Sequence, residues 1–583
     1  MNIKFNDNLT LEGRYGMQYS NDRYKSYTNP FYGTAVGDGG NLYAQDSERL
    51  SQNFLQLLRY KNQFGDHSLE VLAAHESTEY TYSEDSQFKG LVIVDGLLEL
   101  DNFVNPLGPP SGYSEGFSIE SFFGQVNYDF SDKYYLTGSV RRDGSSRFIN
   151  EKWGTFYSVG GAWVMSNESF LKGSNLFTFL KLKASYGITG DQAGVGYYSG
   201  YDTYNSSFLN GISISPRSNG NPDLTWEESK MFQTGVEFSL GKYIDGAVDY
   251  YIKKTDNLIF DRRVGPSQGI AVVTVNDGQL ENKGLEFDLT GHLFNTPNFK
   301  LDLTVNGEII NNQITTMPLE PSTGLPRIVD TSVSPYGYSK GSSIYDFYTR
   351  EWAGVDPSDG APMWYQYFND LNGNGILDSG EDSILSMTNY LDENPDANVA
   401  KQVTKTYASA TNKYVGYSAI PDVRGAFRLA GQLGAFNFST QFTYSIGGWA
   451  LDNQYGELMS DRFGAAGNNF HKDIANRWVQ PGDITNVPIL SDNKIVNATS
   501  GSTRFLTKTD YLALNNVMIG YTLPSKFLDN TGLSLVNIWA SGDNLFVKTA
   551  RAGFNPQTSE TGSSGRALYA PLTTFTLGVR VKF

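Results

Sequence analysis

The chain has 583 residues and a net charge of −17 at neutral pH, and it contains 61 Gly, 37 Tyr, 36 Phe and no Cys. The negative charge, without a cluster of Lys and Arg, argues against a nucleic-acid partner. The absence of Cys excludes disulfides, thiolate catalysis and Cys-based zinc sites. No apolar run reaches the ~18 to 20 residues that a membrane-spanning helix needs, so a helical membrane protein is excluded. The Gly and aromatic content favours an all-β protein.

Strand-length segments in which apolar and polar residues alternate recur along the whole chain. Roughly 16 such segments are present, of about nine to eleven residues each, which is the length that a tilted strand needs to cross a membrane. They begin near residues 8, 52, 68, 121, 134, 155, 180, 231, 245, 283, 300, 425, 436, 511, 535 and 574. One face of each well-defined segment is polar, so Phe232, Phe438 and Phe442 are predicted to face lipid, and Lys181, Glu237 and Gln441 the lumen.

The connections between these segments alternate between short and long. Ser131-Asp132-Lys133 is a short one, whereas 189–225, 310–424 and 447–510 are long and polar. This asymmetry is typical of short periplasmic turns and long extracellular loops, and it predicts a large antiparallel transmembrane β-barrel. The alternative is a soluble β-sandwich or propeller, in which the same alternation builds a core. A Pro/Ser-rich linker or a fixed-period repeat would favour that alternative, and the sequence has neither.

Both ends of the chain carry a local signal. Residues 574–583 read TFTLGVRVKF, an alternating strand that finishes on Phe583 and is similar to the C-terminal signal of outer-membrane barrels. An ordinary last strand is the alternative. Residues 1–11 read MNIKFNDNLTL, which lacks the apolar core of a secretory signal. We therefore expect either a cytoplasmic protein or a chain whose true N-terminus lies upstream.

Residues 121–171 contain the densest motif, with a tyrosine-rich strand, an Arg-Asp-Gly-Ser-Ser segment and a Gly-Trp strand. This segment resembles the SusC/RagA family of TonB-dependent transporters. The matching residues are Asp132-Lys133-Tyr134, Arg142-Asp143-Gly144-Ser145-Ser146-Arg147-Phe148, Trp163 and Glu168-Ser169-Phe170. The resemblance continues in order through 180–192, 224–240, 249–259, 276–287, 510–524 and 541–549, with Asp191 where the family usually has Asn.

The resemblance implies a protein of the outer membrane of a Gram-negative bacterium that imports oligosaccharides or peptides and is not an enzyme. It implies a SusD-like surface lipoprotein and TonB as partners, with TonB acting through an N-terminal plug region. The family plan has a signal sequence and a plug domain before a 22-stranded barrel. With 16 to 17 strands, residues 1–583 are expected to be the C-terminal part of that barrel, with the plug domain and signal peptide absent. Strand edges are unfavourable in lipid, so the strand near 8–18 is expected either to pair with 574–583 or to leave both edges open.

Two function classes remain as alternatives to this interpretation. One is a secreted glycan-binding or structural β-protein, and the other is a passive porin. A catalytic function has little support, because His67, His75, His292 and His471 form no known catalytic spacing. Glu227 and Glu228 are adjacent on a strand and therefore point to opposite faces, which excludes a glycosidase pair.

A calcium-loop motif lies within the long loop 310–424. Residues 370–381 read DLNGNGILDSGE and fit the pattern D-x-[DN]-x-[DN]-G-x5-E at every fixed position. The oxygen ligands of a structural Ca²⁺ ion would come from Asp370, Asn372, Asn374, the Ile376 carbonyl, Asp378 and Glu381. The segment lacks the flanking helices of an EF-hand, and a solvated turn without metal is the alternative.

Four aromatic residues precede this motif. Trp352, Trp364, Tyr365 and Tyr367 are candidates for stacking on sugar rings or peptide side chains of a substrate. The alternative is that they cover the core of the loop.

Overall fold

The computed structural model describes residues 1–208, 211–265, 269, 272–320, 323–460, 469–491, 497–529, 531–558 and 571–583. Strands dominate this part of the chain. In chain order they are β1 (Asn2–Lys4), β2 (Leu9–Thr28), β3 (Asn41–Phe64), β4 (His67–Val92), β5 (Phe103–Pro106), β6 (Ser111–Phe130), β7 (Tyr134–Ser145), β8 (Trp153–Val164), β9 (Phe177–Asp191), β10 (Thr203–Phe208), β11 (Ile212–Ser218), β12 (Glu227–Leu240), β13 (Ile244–Asp256), β14 (Ile259–Arg263) and β15 (Val272–Asn276).

The second half of the chain continues in the same manner. Its strands are β16 (Gln279–Asn295), β17 (Phe299–Thr316), β18 (Asp346–Arg350), β19 (Trp352–Val355), β20 (Pro362–Asn369), β21 (Ser383–Ile384), β22 (Val399–Thr404), β23 (Asn412–Ser418), β24 (Pro421–Leu433), β25 (Phe436–Gly447), β26 (Trp449–Leu451), β27 (Leu506–Lys508), β28 (Tyr511–Thr522), β29 (Leu535–Thr549) and β30 (Thr574–Lys582). The α-helices are α1 (Met387–Glu393) and α2 (Asn453–Leu458). None of the helices found in the described residues is long and apolar enough to cross a membrane.

One large antiparallel sheet organises the molecule. Its sixteen long strands, together with the short β1 and β5, form an 18-stranded sheet. The long strands are β2, β3, β4, β6, β7, β8, β9, β12, β13, β16, β17, β24, β25, β28, β29 and β30, each hydrogen-bonded to the next. Each predicted segment coincides with one of these strands, so the all-β fold and the predicted strand number are confirmed.

All of the long strands except β30 exceed the predicted nine to eleven residues, and the strands at one side of the sheet exceed that length most. β2 and β6 each have 20 residues, β3 has 24 and β4 has 26, whereas β30 has nine. The additional residues lie at the ends away from the short turns, and they continue the same ladder of hydrogen bonds. Among the described residues, β30 pairs with β29 alone and β2 pairs with β1 and β3, so the pairing considered between 8–18 and 574–583 is not formed.

The register places residues of like polarity on one face across many strands. One row aligns Leu180, Phe238, Gly246, Leu289, Val305, Phe427, Phe442 and Leu514. The neighbouring row on the opposite face begins with Lys181 and Glu237. Because the side-chain period is two, a shift of one residue in any strand would bring polar groups to the apolar face. We call the face with Lys181 the inner face and the other the outer face.

The long connections fold into structures of their own. The segment between β17 and β24 contains β18 to β23, and the segment between β25 and β28 contains β26, α2 and β27. The two segments contact each other, since the Thr503 hydroxyl accepts a hydrogen bond from the Trp352 amide at 2.9 Å and Trp478 donates to the Pro357 carbonyl at 3.0 Å. We call these two segments together the loop region. Phe347, Trp364 and Phe368 are buried within it.

Candidate functional site

The inner face carries a network of ion pairs. Lys183 bridges two carboxylates, with Nζ 3.1 Å from Glu237 and 2.9 Å from Asp249, and Lys181 lies 3.3 Å from Glu237. Arg424 pairs with Glu308 two strands further along the wall. Opposite charges thus neutralise one another across neighbouring strands, as a polar lumen requires.

Two concavities open on this inner face. The first, of about 540 Å³, is lined by polar side chains that include Glu70, Asn127 and Gln233. The second, of about 520 Å³, includes Asp249, Glu286 and Arg424 in its lining. Both are formed by several consecutive strands, which means that the sheet curves with its polar face inward.

The outer face exposes its apolar side chains. Leu136 and Val140 on β7 and Val159 on the neighbouring β8 are 55%, 52% and 50% exposed. In a soluble sandwich this face would be covered by a second sheet. A continuous exposed apolar surface of this kind is instead expected where a membrane or a partner covers it.

A row of aromatic rings crosses the outer face beside the short turns. Phe64 stacks on His67, His67 contacts Phe130, and Phe130 stacks on Tyr134, with ring centroids 5.5, 4.7 and 6.4 Å apart. Trp163 stacks on Tyr134 at 6.4 Å and continues the row. Such rows of aromatic residues mark the interfaces of membrane barrels, because the rings are apolar while their edges tolerate water. We call this row the lower girdle.

A second aromatic row crosses the outer face higher up. His75 contacts Phe122 at 4.9 Å and Phe122 contacts Trp153 at 6.3 Å. On β6, Phe122 and Phe130 lie eight positions apart, with Gly124, Val126 and Tyr128 between them on the same face. The interval is at the lower end of the ~9 to 11 residues with which a tilted strand crosses the hydrocarbon core. We call this second row the upper girdle.

Glu168 holds the lower girdle together. One carboxylate oxygen accepts hydrogen bonds from the Tyr134 hydroxyl at 2.6 Å and from the Trp163 indole at 3.3 Å, and the other contacts Lys133 at 3.0 Å. These residues belong to the motifs quoted for the family resemblance. Sequence reasoning did not identify them as a site, although a charged pair next to Tyr and Trp at the ends of adjacent predicted strands was a usable signal.

The four candidate substrate-binding aromatics lie in the loop region in two different environments. Trp364 is 1% exposed and packs edge-on against Trp352 and Tyr407, at 5.7 and 5.2 Å. Its ring is therefore part of the loop core, which is the alternative considered for it, and it offers no face to a ligand in this conformation. Trp352 is half-buried, and its indole donates to the Asn486 side chain at 2.6 Å.

Tyr365 and Tyr367 lie on the opposite side of β20. Lys401 Nζ lies 4.1 Å from the Tyr365 ring centre, and Lys413 lies 4.9 Å from that of Tyr367. Burial and a hydrogen bond to Glu351 raise the pKa of the Tyr367 hydroxyl. Both half-exposed rings are thus already engaged by cations of the protein, and their role in substrate binding stays a prediction.

The candidate calcium ligands form one compact loop. Asp370 is buried, and its carboxylate accepts backbone hydrogen bonds from Gly373, Asn374 and Gly375 at 2.8, 3.1 and 2.9 Å. Glu381 accepts from the Leu371 and Asp378 amides, both at 2.9 Å. Gly373 and Gly375 have positive φ values of 73° and 74°, which fit the tight turns of such a loop.

The side chains of Asn372, Asn374 and Asp378 are also hydrogen-bonded within the loop. The amides of Asn372 and Asn374 donate to Asp378 at 2.8 and 2.7 Å, and they hold the pKa of the Asp378 carboxyl below its usual range. Ile376 donates its amide to Asn374 at 2.8 Å. Across the described ranges, no three His, Asp or Glu side chains converge as metal ligands, so calcium binding here stays a prediction.

Comparison with known proteins identifies the family. The family described as "TonB dependent receptor-like, beta-barrel" matches residues 1–545. The chain belongs to this family. Its members are receptors and transporters of the outer membrane.

Individual relatives agree with this assignment. TonB-dependent receptor P3 of Formosa agariphila is 28% identical over 609 residues, covering 100% of this chain and 57% of the relative. TonB-dependent receptor SusC of Bacteroides thetaiotaomicron is 26% identical over 506 residues, covering 81% and 44%. The chain thus spans about half the length of the curated relatives that it matches.

Solved structures share the fold. The RagAB peptide transporter superposes with a TM-score of 0.79 at 24% identity, covering 100% of this chain and 61% of that chain. The RagAB peptide importer in its "open-open" state gives a TM-score of 0.80 at 24% identity, covering 100% and 60%. The resemblance to the SusC/RagA proteins found in the sequence is therefore confirmed.

Proposed function

We propose that this chain is the barrel part of a transporter that imports oligosaccharides or peptides across the outer membrane. TonB supplies the energy through a plug region, and a SusD-like lipoprotein assists at the cell surface. The observation that carries the proposal is the exposed apolar band between two aromatic girdles, backed by a polar, ion-paired inner face. The family adds support, because SusC and the RagAB peptide transporter are among its relatives.

The substrate class needs a direct test. The receptor, expressed in the outer membrane of its host, is supplied with labelled oligosaccharides or labelled oligopeptides, with TonB present or deleted. We expect saturable uptake of one of the two classes, and its loss in the strain without TonB. Uptake that does not saturate and is independent of TonB would indicate the passive porin instead. A protein that is released from cells without detergent would indicate the secreted β-protein.

A second proposal concerns residues 370–381, which we propose bind one Ca²⁺ ion. The support is the complete set of oxygen donors at calcium-loop spacing, within a loop that the glycines already fold. Asp370 and Glu381 would be direct carboxylate ligands. Calcium would then bridge the two ends of this loop and order the segment between β20 and β22.

Titration calorimetry tests the calcium proposal. Wild type should release heat with CaCl₂, Glu381→Ala should lose it, and Ser379→Ala should keep it because position 379 supplies no ligand in this pattern. An absence of calcium heat in the wild type would refute the proposal.

A further inference from the structure

The four longest strands carry the inner face of the sheet beyond the membrane. β4 has 26 residues, more than twice the ~9 to 11 that a tilted strand needs to cross the hydrocarbon core. β2, β3 and β6 form one ladder with its upper half. The register connects Lys183 of the inner face through β8, β7 and β6 to Ser68, so the even-numbered residues of β4 lie on that face. The upper inner wall therefore borders the route from outside into the lumen.

Four tyrosines lie in two pairs on this upper inner wall, where the register places all of them on the inner face. Tyr82 of β4 and Tyr113 of β6 have ring centroids 5.8 Å apart, and Tyr24 of β2 and Tyr43 of β3 have centroids 6.3 Å apart. We call these four residues the tyrosine platform. Its outermost strands, β2 and β6, are three strand spacings or ~14 Å apart. Tyr24 and Tyr113 are 55% and 48% exposed, so both pairs present ring surface to solvent.

A chain of hydrogen bonds joins the two pairs of rings. The Tyr43 hydroxyl donates to Gln45 Oε1 at 3.2 Å, and Gln45 Nε2 donates to Glu84 Oε2 at 2.7 Å. The Tyr82 hydroxyl donates to the same carboxylate oxygen. Within the described part of the chain, no group donates to the other oxygen, Glu84 Oε1. The chain thus orients the rings and leaves a free acceptor between them.

The cation beside the platform is already paired. Arg49 lies 5.1 Å from the Tyr82 ring centre and forms an ion pair with Asp22. Glu84 and Glu115, which lies opposite Tyr82, form no ion pair with any of the described residues. The surroundings of the platform therefore carry a net negative charge, which disfavours an anionic ligand.

The same surface discriminates against a peptide. Across the positions of Tyr24, Tyr82 and Tyr113, β3 is hydrogen-bonded to β2 and β4, and β4 is hydrogen-bonded to β3 and β6. An extended peptide that binds to a sheet adds a strand at an unpaired edge, whereas the centre of this wall offers side chains alone. Sugar units are complementary to it, because each has an apolar ring face for a tyrosine and hydroxyl groups for a free acceptor.

We propose that the tyrosine platform binds a linear, uncharged oligosaccharide on its way into the lumen. One sugar unit stacks on Tyr82 and Tyr113, another stacks on Tyr24 and Tyr43, and a hydroxyl between them donates to Glu84. The separation of the two pairs requires a chain of several sugar units, which a disaccharide does not supply. This assignment rests on the proposed function and selects oligosaccharides from its two substrate classes.

The test measures, by titration calorimetry, the affinity of the complete receptor in detergent for cellohexaose, maltohexaose, xylohexaose and mannohexaose. We expect at least one of these neutral sugars to bind, and Tyr24→Ala to weaken it at least fivefold. Tyr24→Phe keeps the ring and should retain most of the affinity. Tyr19→Ala is the matched control, because Tyr19 is 54% exposed on the outer face of the same strand, and it should change affinity less than twofold. Heat-modifiable gel mobility verifies that each barrel is folded.

Chain length and charge give two further readouts. The affinity of the wild type should rise at least tenfold from the disaccharide to the hexasaccharide of the sugar that binds, and Tyr24→Ala should remove most of this gain. A hexagalacturonate, which has the same length but carries carboxylates, should bind at least tenfold more weakly at low salt. A hexagalacturonate that binds as tightly as the neutral sugar would contradict the charge argument.

The outcomes separate this proposal from the proposed function. If a hexasaccharide binds the wild type, Tyr24→Ala and Tyr19→Ala equally, the platform is not its site while the proposed function stands. If none of the four sugars binds, the platform proposal is overturned, and TonB-dependent uptake of labelled oligopeptides would still support the proposed function. Oligopeptide binding that Tyr24→Ala weakens would assign the platform to peptides. Saturable uptake of neither class would mean that both proposals fail.

Discussion

Apolar and aromatic side chains are exposed on the outer face of the sheet but buried in the loop region. On the sheet, Leu136 and Val159 lie on the surface, whereas Phe347, Trp364 and Phe368 of the loop region are buried. Both regions are built from strands with alternating side chains. The alternation of apolar and polar residues therefore determines which side chains share a face of a strand. Whether the apolar face is covered by protein or by lipid then determines whether its side chains form a core or contact the membrane.

The largest expected effect is in the loop core. Trp364→Ala should destabilise the loop region by ~3 to 5 kcal/mol, because removal of this large, fully buried side chain leaves a cavity in the loop core. Protease cleavage of the loop region should accelerate, while the heat-modifiable mobility of the barrel stays unchanged. Leu371→Ala, at an exposed residue of the same region, is the control. Equal protease resistance of both variants would mean that the loop region has no core of its own.

A charge on the outer face should have the next largest effect. Phe438→Arg should cost ~2 to 4 kcal/mol in folding into lipid vesicles, because the guanidinium would enter the hydrocarbon, whereas Gln441→Arg on the inner face should be tolerated. Urea titration of both variants in vesicles measures the difference. Equal costs at the two positions would contradict the assignment of the faces.

Loss of the hydrogen bonds that Glu168 accepts in the lower girdle should have a smaller effect. It tests whether this row of aromatic rings lies at the membrane interface. Glu168→Gln keeps the size of the side chain but weakens its bonds to Lys133 and Tyr134, which are charge-assisted at present. We expect the unfolding temperature of the barrel to fall by a few degrees and Trp163 fluorescence to shift. Unchanged emission would indicate that Glu168 does not orient the ring.

High pH should weaken the loop region, and this effect should be small. Burial raises the pKa of Tyr336 to about 12 and also raises the pKa values of Tyr367 and Tyr414. Their unfolded counterparts ionise near pH 10, so the stability of the loop region is retained below that value and lost as the pH rises through the folded pKa values. Protease cleavage at pH 8 and pH 11 measures this loss. Acceleration already between pH 7 and pH 9 would argue against these tyrosines as its cause.

The sequence was sufficient to predict the sheet because strand alternation is a local property. Each of the sixteen segments could be recognised from its own residues, and the motifs at 121–171 identified the family. The lengths of β3 and β4 could not be predicted in this way, because their distal halves leave the membrane and no longer need apolar residues on the outer face. Glu79 and Asp85, for example, share that face with Leu69 and Val71.

The candidate sites were predicted less completely because they depend on contacts between distant segments. β20 has alternating burial from Pro362 to Asn369, which separates buried Trp364 from half-buried Tyr365 and Tyr367. The sequence placed all of these rings in one group, since nothing local shows which side of β20 meets Trp352 and Tyr407. The burial of Asn102, which hydrogen-bonds the backbone of Val94 and Leu97, also requires the folded loop, because the polarity of that side chain gives no hint of its burial.

The two aromatic girdles fix a thickness for the surrounding bilayer. A helix can adapt to a thicker membrane by tilting, but the girdles are separated by a fixed eight positions of β6 and are hydrogen-bonded to rigid neighbours. The lipid must therefore adjust to the protein, by thinning around the barrel at a cost of a fraction of a kcal/mol per ångström of mismatch. A short apolar band suits a thin membrane such as the bacterial outer membrane. The yield of folded barrel should accordingly fall as the acyl chains of the vesicle lipids become longer.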